Sequence, residues 1–175
     1  TLTVNTKTIN RTYGGGMMNQ SSSPTITNTT FSDNTATYGG GMMNYDYSSP
    51  TITNTSFIEN TGGAGGGIYN VSSSSPAITN CIFWGNLKGS SSTTSGSDIE
   101  NSSSTPTITY TTLQVSYTGT GNSTADPLFV DASNPAGADG IHRTADDGLR
   151  LYSNSPAANS GSNSAIPSGI TTDII

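Results

Sequence analysis

The chain has 175 residues, and only 9% of them are charged, against roughly 25% in an ordinary soluble domain. It contains 29 Thr, 28 Ser, 21 Gly and 17 Asn but only 30% hydrophobic residues, which excludes a conventional core of Leu, Ile and Val, while the low charge argues against disorder. The net charge of −6 argues against nucleic acid and anionic lipid as partners, and no apolar run reaches the length of about 18 residues that spans a membrane.

The first residues are less regular than those that follow. The pattern of Leu2, Val4, Ile9 and Asn10 indicates a weak copy of the repeat described below. Such a first coil would leave the edge of a sheet uncovered, and we expect this edge to pair with another subunit. Because Thr1 is not Met and no signal-peptide pattern follows it, we expect a processed product or a segment of a longer protein.

A repeat governs the next hundred residues. Its period is 25 to 26 residues, stretched to about 30 by a Ser/Gly-rich insertion near residues 88–96. Three short motifs recur in each period, and each carries an apolar residue shortly before an Asn. The first copies are Gly14-Gly-Gly-Met-Met-Asn19, Pro24-Thr-Ile-Thr-Asn28 and Phe31-Ser-Asp-Asn34, and later copies begin at Gly39, Gly65, Pro50, Pro76, Pro106, Phe57, Phe83 and Leu113. Such a fixed period is typical of a solenoid.

Each motif predicts a short β-strand. Its apolar residue has polar neighbours, as in a strand with one inward side chain, and Gly and Asn accept the left-handed backbone angles of a corner. Three strands and three corners make one triangular coil, and successive coils stack in parallel about 4.8 Å apart. We expect almost no helix and three inner columns: Met17/Met42/Ile68/Ile99, Ile26/Ile52/Ile78/Ile108 and Phe31/Phe57/Phe83/Leu113. We also expect three stacked amide ladders: Asn19/Asn44/Asn70/Asn101, Asn28/Asn54/Asn80 and Asn34/Asn60/Asn86.

The paired signatures Phe-x-x-Asn and Gly-Gly-[Gly/Ala]-apolar resemble the polymorphic outer-membrane-protein repeats of bacterial surface proteins. The first signature is matched by Phe31–Asn34, Phe57–Asn60 and Phe83–Asn86, and the second by the three Gly-Gly-Gly runs. The resemblance implies an all-β fold, a right-handed parallel β-helix with three short strands per coil. It also implies a secreted or cell-surface bacterial protein, in a family that has many adhesins and no single activity.

The sequence divides into coils and a C-terminal part. We predict that residues 1–116 form the coils and that residues 117–175 form an irregular cap with an acidic loop, continuous with the coils in one domain. The segment Asp126-Pro-Leu-Phe-Val-Asp131, with Leu149-Arg-Leu151 and Ser155-Pro-Ala157, resembles the tail that follows β-helix repeats in many secreted bacterial proteins.

These features predict a non-catalytic extracellular module that serves as a stalk or an adhesive surface. Candidate contacts for carbohydrate, or for a host or cell-surface protein, are the outward Met18, Met43 and Tyr69 and the loop residues Tyr45 and Tyr47. Tyr suits both partners because it offers apolar area and a hydroxyl, and exposed Met residues suggest a covering partner or a neighbouring subunit.

One alternative is an ice-binding protein. If the Ile of the second motif points inward, its neighbours form an outward array: Thr25, Thr27, Thr51, Thr53, Thr79, Thr107 and Thr109, with Ala77 as the exception. The hydroxyls would lie about 6.7 Å apart along a strand and about 4.8 Å apart between coils. Such a lattice resembles the ice-contacting face of β-helical antifreeze proteins, although Thr is also favoured on any solvent-facing strand.

A second alternative is a polysaccharide lyase or hydrolase, because parallel β-helices host pectate lyases and polygalacturonases. Asp33 and Glu59 stack roughly in register one coil apart, as a retaining pair of carboxylates would. In the simpler interpretation both occupy the variable outward position before the corner Asn, where Gly85 is the third member. Cys81 and His142 have no convincing triad partner, so we expect no enzyme.

The acidic loop predicts a calcium site. Asp139, Asp146 and Asp147 lie in one glycine-bounded loop, and Ca²⁺ prefers carboxylate and carbonyl oxygens at short spacing. The loop is not an EF-hand. A solvated loop, or a turn paired with Arg143 or Arg150, is the alternative.

Overall fold

The computed structural model describes residues 3–4, 11–91, 97–141 and 144–169. Within these ranges the chain forms fifteen short strands and a single three-residue 3-10 helix, Asn163–Ala165, so the expectation of almost no helix is confirmed. The strands are β1 (Thr3–Val4), β2 (Arg11–Tyr13), β3 (Met17–Gln20), β4 (Thr25–Ser32), β5 (Thr35–Tyr38), β6 (Met42–Tyr45), β7 (Thr51–Ile58), β8 (Thr61–Ala64), β9 (Ile68–Val71), β10 (Ala77–Thr79), β11 (Ile82–Trp84), β12 (Leu87–Lys88), β13 (Ile99–Ser102), β14 (Thr107–Thr109) and β15 (Thr112–Leu113).

The strands form three parallel sheets. Sheet A contains β1, β4, β7, β10, β11, β14 and β15, sheet B contains β2, β5, β8 and β12, and sheet C contains β3, β6, β9 and β13. The chain visits B, C and A in turn, which gives four stacked coils: 11–34, 35–60, 61–86 and 87–116. Before them, β1 pairs with β4 and places Val4 opposite Phe31, as expected of a weak extra copy. Leu2, Ile9, Asn10 and residues 92–96 of the insertion lie outside the described residues.

The motifs are distributed over the sheets differently from the prediction. The second and third motifs lie in one continuous strand, β4 or β7, that bends at Asn28 or Asn54, where φ is 51° or 49°. In the later coils the same left-handed bend, at Asn80 and Tyr110, divides the strand in two. Sheet B is built instead from the residues after the third motif, such as the Thr-Ala-Thr-Tyr of β5. That run has only the small Ala36 facing inward, so its alternation is too weak to be recognised in the sequence.

The three predicted core columns are confirmed. Parallel pairing places each member opposite its equivalent in the next coil. In the third column, Phe31, Phe57 and Phe83 have no exposed surface, and their ring centroids are 4.8 and 4.6 Å apart with planes parallel within 4°. A Cβ on Gly41 would lie 2.9 Å from Cδ1 of Phe57, which explains why small residues line the corner beside this stack.

Two of the three predicted amide ladders are confirmed. In the first, Nδ2 of each Asn donates to Oδ1 of the next, at 2.8 Å from Asn19 to Asn44 and from Asn44 to Asn70, and at 2.9 Å from Asn70 to Asn101. In the second, which is fully buried, Asn34 donates to Asn60 at 2.9 Å and Asn60 to Asn86 at 3.0 Å. Each ladder therefore ties a coil to the next through side chains as well as through the backbone.

The third predicted ladder, Asn28/Asn54/Asn80, is wrong. These residues occupy the left-handed bend of sheet A, whose positive φ favours Asn, although Tyr110 takes the same position in the last coil. Oδ1 of Asn28 is buried without a hydrogen-bond partner among the described residues, and the amide of Asn80 is used by the C-terminal segment.

The C-terminal part begins as a cap and then runs back along the coils. Residues 117–123 close the last coil, with the Leu113 N–H donating to the Ser123 carbonyl at 2.9 Å. The rest of the described chain, residues 126–141 and 144–169, is here called the C-terminal segment. It lies on the outer face of sheet A, where Ser162 exchanges hydrogen bonds of 3.0 and 2.8 Å with the Asn80 amide. Ile58, which follows the inward Phe57 and is not part of the core cluster, is fully covered on that face.

Candidate functional site

The outward side of sheet C carries the predicted Met and Tyr contacts. Met18, Met43 and Tyr69 lie in register in three successive coils. Met18 is 42% exposed and Tyr69 is half-buried, whereas Met43 is only 5% exposed. The prediction that Met43 is an exposed contact is therefore wrong, because two large side chains flank it in the neighbouring coils. The loop residues Tyr45 and Tyr47 are exposed, at 37% and 73%.

A tyrosine stripe (Tyr13, Tyr38 and Tyr69) adjoins this column and shares Tyr69 with it. The sequence analysis identified only Tyr69. The ring of Tyr38 stacks on Tyr13 at 5.6 Å and on Tyr69 at 5.7 Å, with interplanar angles of 13° and 27°. Tyr13 is 48% exposed and Tyr38 36% exposed. Both precede a Gly-Gly-Gly run at the same position of the repeat, so aligning the periods would have found them.

The threonine array is divided into two columns of different exposure. The column nearer the start of each strand is exposed and contains Thr25, Thr51, Ala77 and Thr107. The second column is half-buried at Thr27, Thr79 and Thr109, and the hydroxyls of Thr79 and Thr109 lie 3.1 Å apart. Thr53, flanked by Thr27 and Thr79 and followed by the bend at Asn54, is 5% exposed. The prediction that Thr53 points freely into solvent is wrong, so one exposed column remains instead of a lattice.

Asp33 and Glu59 occupy the corner at the end of sheet A. Their φ angles are 56° and 54°, the same left-handed region as Gly85 at 68°, and each N–H donates to a carbonyl of the next coil. Burial raises the pKa of the Glu59 carboxyl, and the negative charges of Asp33 and of Asp131 in the C-terminal segment raise it further. Asp33 and Glu59 therefore occupy the same turn position one coil apart, as predicted, and the carboxylates of Asp33 and Asp131 both act electrostatically on Glu59.

The acidic loop is folded around the hydroxyl of Thr144. This oxygen lies 2.7 Å from Oδ1 of Asp146, 3.3 Å from Oδ1 of Asp147 and 3.4 Å from Oδ1 of Asp139. The hydrogen bond from Thr144, and then that from the backbone N–H of Asp139, lower the pKa of Asp146. Among the described residues no group of three or more acidic, His or Cys side chains is arranged to hold a metal ion. Calcium binding stays a prediction, and Arg143, offered as an alternative partner, lies outside the described residues.

Two further side chains with nucleophilic or basic chemistry are Cys81 and His142. Cys81 is 2% exposed inside the core cluster, where burial raises the pKa of its thiol to about 12, so the nucleophilic thiolate is suppressed. His142 lies outside the described residues.

Residues 1–127 match the family model described as the right handed beta helix region. The chain belongs to the right-handed β-helix family. Neither the curated proteins nor the solved structures compared with the chain gave a match. Within the described residues, no helix has the length and hydropathy to cross a membrane.

The C-terminal segment of this β-helix unites the three motifs of its predicted tail. Phe129 and Leu151 form an antiparallel bridge, and the hydroxyl of Ser155 donates to the Pro127 carbonyl at 2.6 Å. Between this segment and sheet A lies a groove of about 650 Å³. Its lining includes Asn54 and Ser56 on the sheet side and Phe129 on the segment side. No sequence motif indicates the groove, because it joins residues that are distant in the chain.

The second amide ladder of the β-helix ends in a carboxyl group that the sequence analysis did not identify. Nδ2 of Asn86 donates to Oδ1 of Asp98 at 3.3 Å, and the Val115 N–H donates to Oδ2 at 3.0 Å. Asp98 is 1% exposed, and burial raises its pKa to about 6 despite the hydrogen bonds from Val115 and Asn86 that lower it.

Proposed function

We propose that this β-helix is a non-catalytic, extracellular bacterial module that binds a protein surface through the tyrosine stripe. The observation that carries the proposal is the stacked row of Tyr13, Tyr38 and Tyr69, of which the first two are exposed and the third is half-buried, on a surface that is otherwise rich in Ser and Thr. Tyr is enriched where proteins meet, since it combines apolar area with a hydroxyl and loses little conformational entropy. The column with Met18 adds apolar area beside the stripe.

The stacking geometry favours a protein over a sugar at this surface. The rings lie nearly parallel at 5.6 and 5.7 Å, so each face of Tyr38 is covered by a neighbouring ring. The stripe therefore presents ring edges and hydroxyls, whereas stacking on a sugar requires an open ring face. The net charge of −6 favours association with a basic partner.

The corner geometry supports the non-catalytic part of the proposal. Asp33, Glu59 and Gly85 share one left-handed backbone position, for which the turn itself is a sufficient explanation. The ladders and ring stacks that continue from coil to coil support the role of a stiff scaffold.

The test is binding of the soluble chain to a panel of purified host extracellular proteins, with purified polysaccharides as a second panel. Wild type should bind at least one protein, and Tyr13→Ser combined with Tyr38→Ser should weaken that binding about tenfold or more, as loss of aromatic anchors does. Tyr152→Ser is the matched control, since Tyr152 is 53% exposed but lies in the C-terminal segment.

Two results would contradict the proposal. One is protein binding that the Tyr13/Tyr38 variant leaves unchanged. The other is release of reducing ends or unsaturated sugars from any polysaccharide of the panel, abolished by Glu59→Gln, which would make the protein an enzyme.

A further inference from the structure

The groove between sheet A and the C-terminal segment is lined by both polar and apolar side chains. On the sheet side, Thr30, Ser56, Ile82 and Thr112 lie in register across four coils, and the bend adds Asn54. The segment supplies apolar side chains, among them Phe129, Leu149, Leu151 and Ile166. The volume of about 650 Å³ lies within the range of roughly 300–1,000 Å³ that is usual for small-molecule sites.

Several polar side chains of the groove make no hydrogen bond to the described residues. The side chains of Thr30, Asn54, Ser56 and Tyr110 are half-buried, and none makes a side-chain hydrogen bond to any part of the chain that the structure describes. Amides and hydroxyls both donate and accept, so together they suit a ligand that has many hydroxyl groups. A ligand whose hydroxyls replace the water on these half-buried groups forms hydrogen bonds that contribute to its affinity.

The charge of the protein as a whole favours a neutral ligand over an acidic one. Among the described residues that line the groove, Arg150 alone is charged, and its Nη1 already donates to the Ala145 carbonyl. Its other guanidinium N–H groups can donate to sugar hydroxyls, while the net charge of −6 of the whole protein disfavours an acidic ligand.

We propose that this groove binds a short neutral oligosaccharide, independently of the tyrosine stripe. The hydroxyls of the sugar bond to Asn54, Ser56 and Tyr110, and the apolar face of a sugar ring packs against Phe129. The site exists only because the C-terminal segment lies on the coils, so both parts of the chain contribute to it.

The experiment is isothermal titration of the whole chain with maltotriose, cellotriose, N-acetylchitotriose and the acidic trigalacturonate, followed by a glycan array of neutral oligosaccharides. Ser56→Trp fills the groove from the sheet side, and Thr51→Trp is its matched control, because Thr51 is exposed on the same strand and does not line the groove. Asn54→Gly removes the amide while keeping a residue that accepts the backbone angle of the bend.

A neutral oligosaccharide should bind the wild type and Thr51→Trp alike. Ser56→Trp and Asn54→Gly should each weaken that binding about tenfold or more. The first variant fills the space that the sugar occupies, and the second removes a hydrogen bond to it. The proposal is overturned if no neutral sugar binds, if trigalacturonate alone binds, or if Ser56→Trp leaves binding unchanged. The Tyr13/Tyr38 variant should bind the sugar normally, which separates failure of this proposal from failure of the protein-binding proposal.

Discussion

The coils and the C-terminal segment are held by different kinds of contact. In the coils a buried side chain meets its own equivalent one coil away, as Asn44 meets Asn70 and Phe31 meets Phe57. In the segment the contacts join unlike residues that are far apart, such as Asn80 and Ser162, which are 82 positions apart in the chain. Stability in the coils is therefore shared among many equal interactions, whereas the position of the segment depends on a few singular ones.

The largest effect should come from the centre of a core column. Phe57→Ala leaves a cavity between Phe31 and Phe83, and we expect it to lower the free energy of unfolding by about 3–5 kcal/mol. Denaturant unfolding followed by circular dichroism measures the loss. Phe129→Ala in the C-terminal segment is the comparison and should leave the unfolding of the coils nearly unchanged. Equal losses in the two variants would mean that coils and segment unfold as one unit.

An intermediate effect on stability is expected when pH changes the charge of Asp98, at the end of the second amide ladder. The folded pKa of Asp98, about 6, lies above the ordinary value of 3.8, so folding favours the protonated form. Its contribution to the free energy of unfolding is therefore largest below about pH 4 and is lost as pH rises through 6, by about 2–3 kcal/mol. Denaturant unfolding of wild type between pH 4 and 8 measures this decline.

The variant for this prediction is Asp98→Asn, which cannot ionise. It should show a clearly shallower decline between pH 5 and 7, although an NH2 group replaces one of the two oxygens that accept from Asn86 and Val115, which makes the variant less stable at pH 5. Glu59→Gln is the control for the second carboxyl group with a raised pKa. A pH profile that Asp98→Asn does not alter would show that Asp98 is not the titrating group.

The smallest effect concerns calcium in the acidic loop. If Asp139, Asp146 and Asp147 bind Ca²⁺, a chelator should speed proteolysis within residues 126–169 and leave the coils intact. We expect only local loosening, because Asp146 also accepts hydrogen bonds from the N–H groups of Ala138 and Asp139. Limited proteolysis with mass spectrometry measures it, with Asp146→Asn as the metal-independent control. Identical cleavage with and without chelator would remove calcium from the loop.

The sequence predicts the coils well because every coil repeats the same physical problem. A residue such as Ile52 must face inward in all coils or in none, so four copies of the pattern determine the register. The assignment of motifs to sheets could not be derived this way. The bend at Asn54 and a true corner both require left-handed backbone, and Asn satisfies both, so sequence alone does not distinguish a bend within a sheet from a change of sheet.

The candidate surfaces were predicted less completely than the coils. Alternation correctly placed Met43 and Thr53 on the outside of their strands, but burial on the outside depends on neighbouring side chains and on the returning segment. The groove depends on contacts such as the hydrogen bonds between Ser162 and Asn80, which occur once in the molecule. No repeated sequence pattern indicates a contact of this kind.

The hydrogen bonds of both amide ladders point the same way along the stack, and this limits where a coil can be inserted or removed. Every Nδ2 donates toward the next coil, so each ladder must end on an acceptor, which is Tyr117 for the first and Asp98 for the second. Any interior coil receives and donates in the same way as its neighbours. Duplication of a whole interior coil therefore leaves the last acceptor of each ladder in place, whereas a coil added after the last one would have to displace Tyr117 from Asn101. The ladders therefore tolerate insertion or deletion of a whole coil within the stack better than addition of a coil at its C-terminal end.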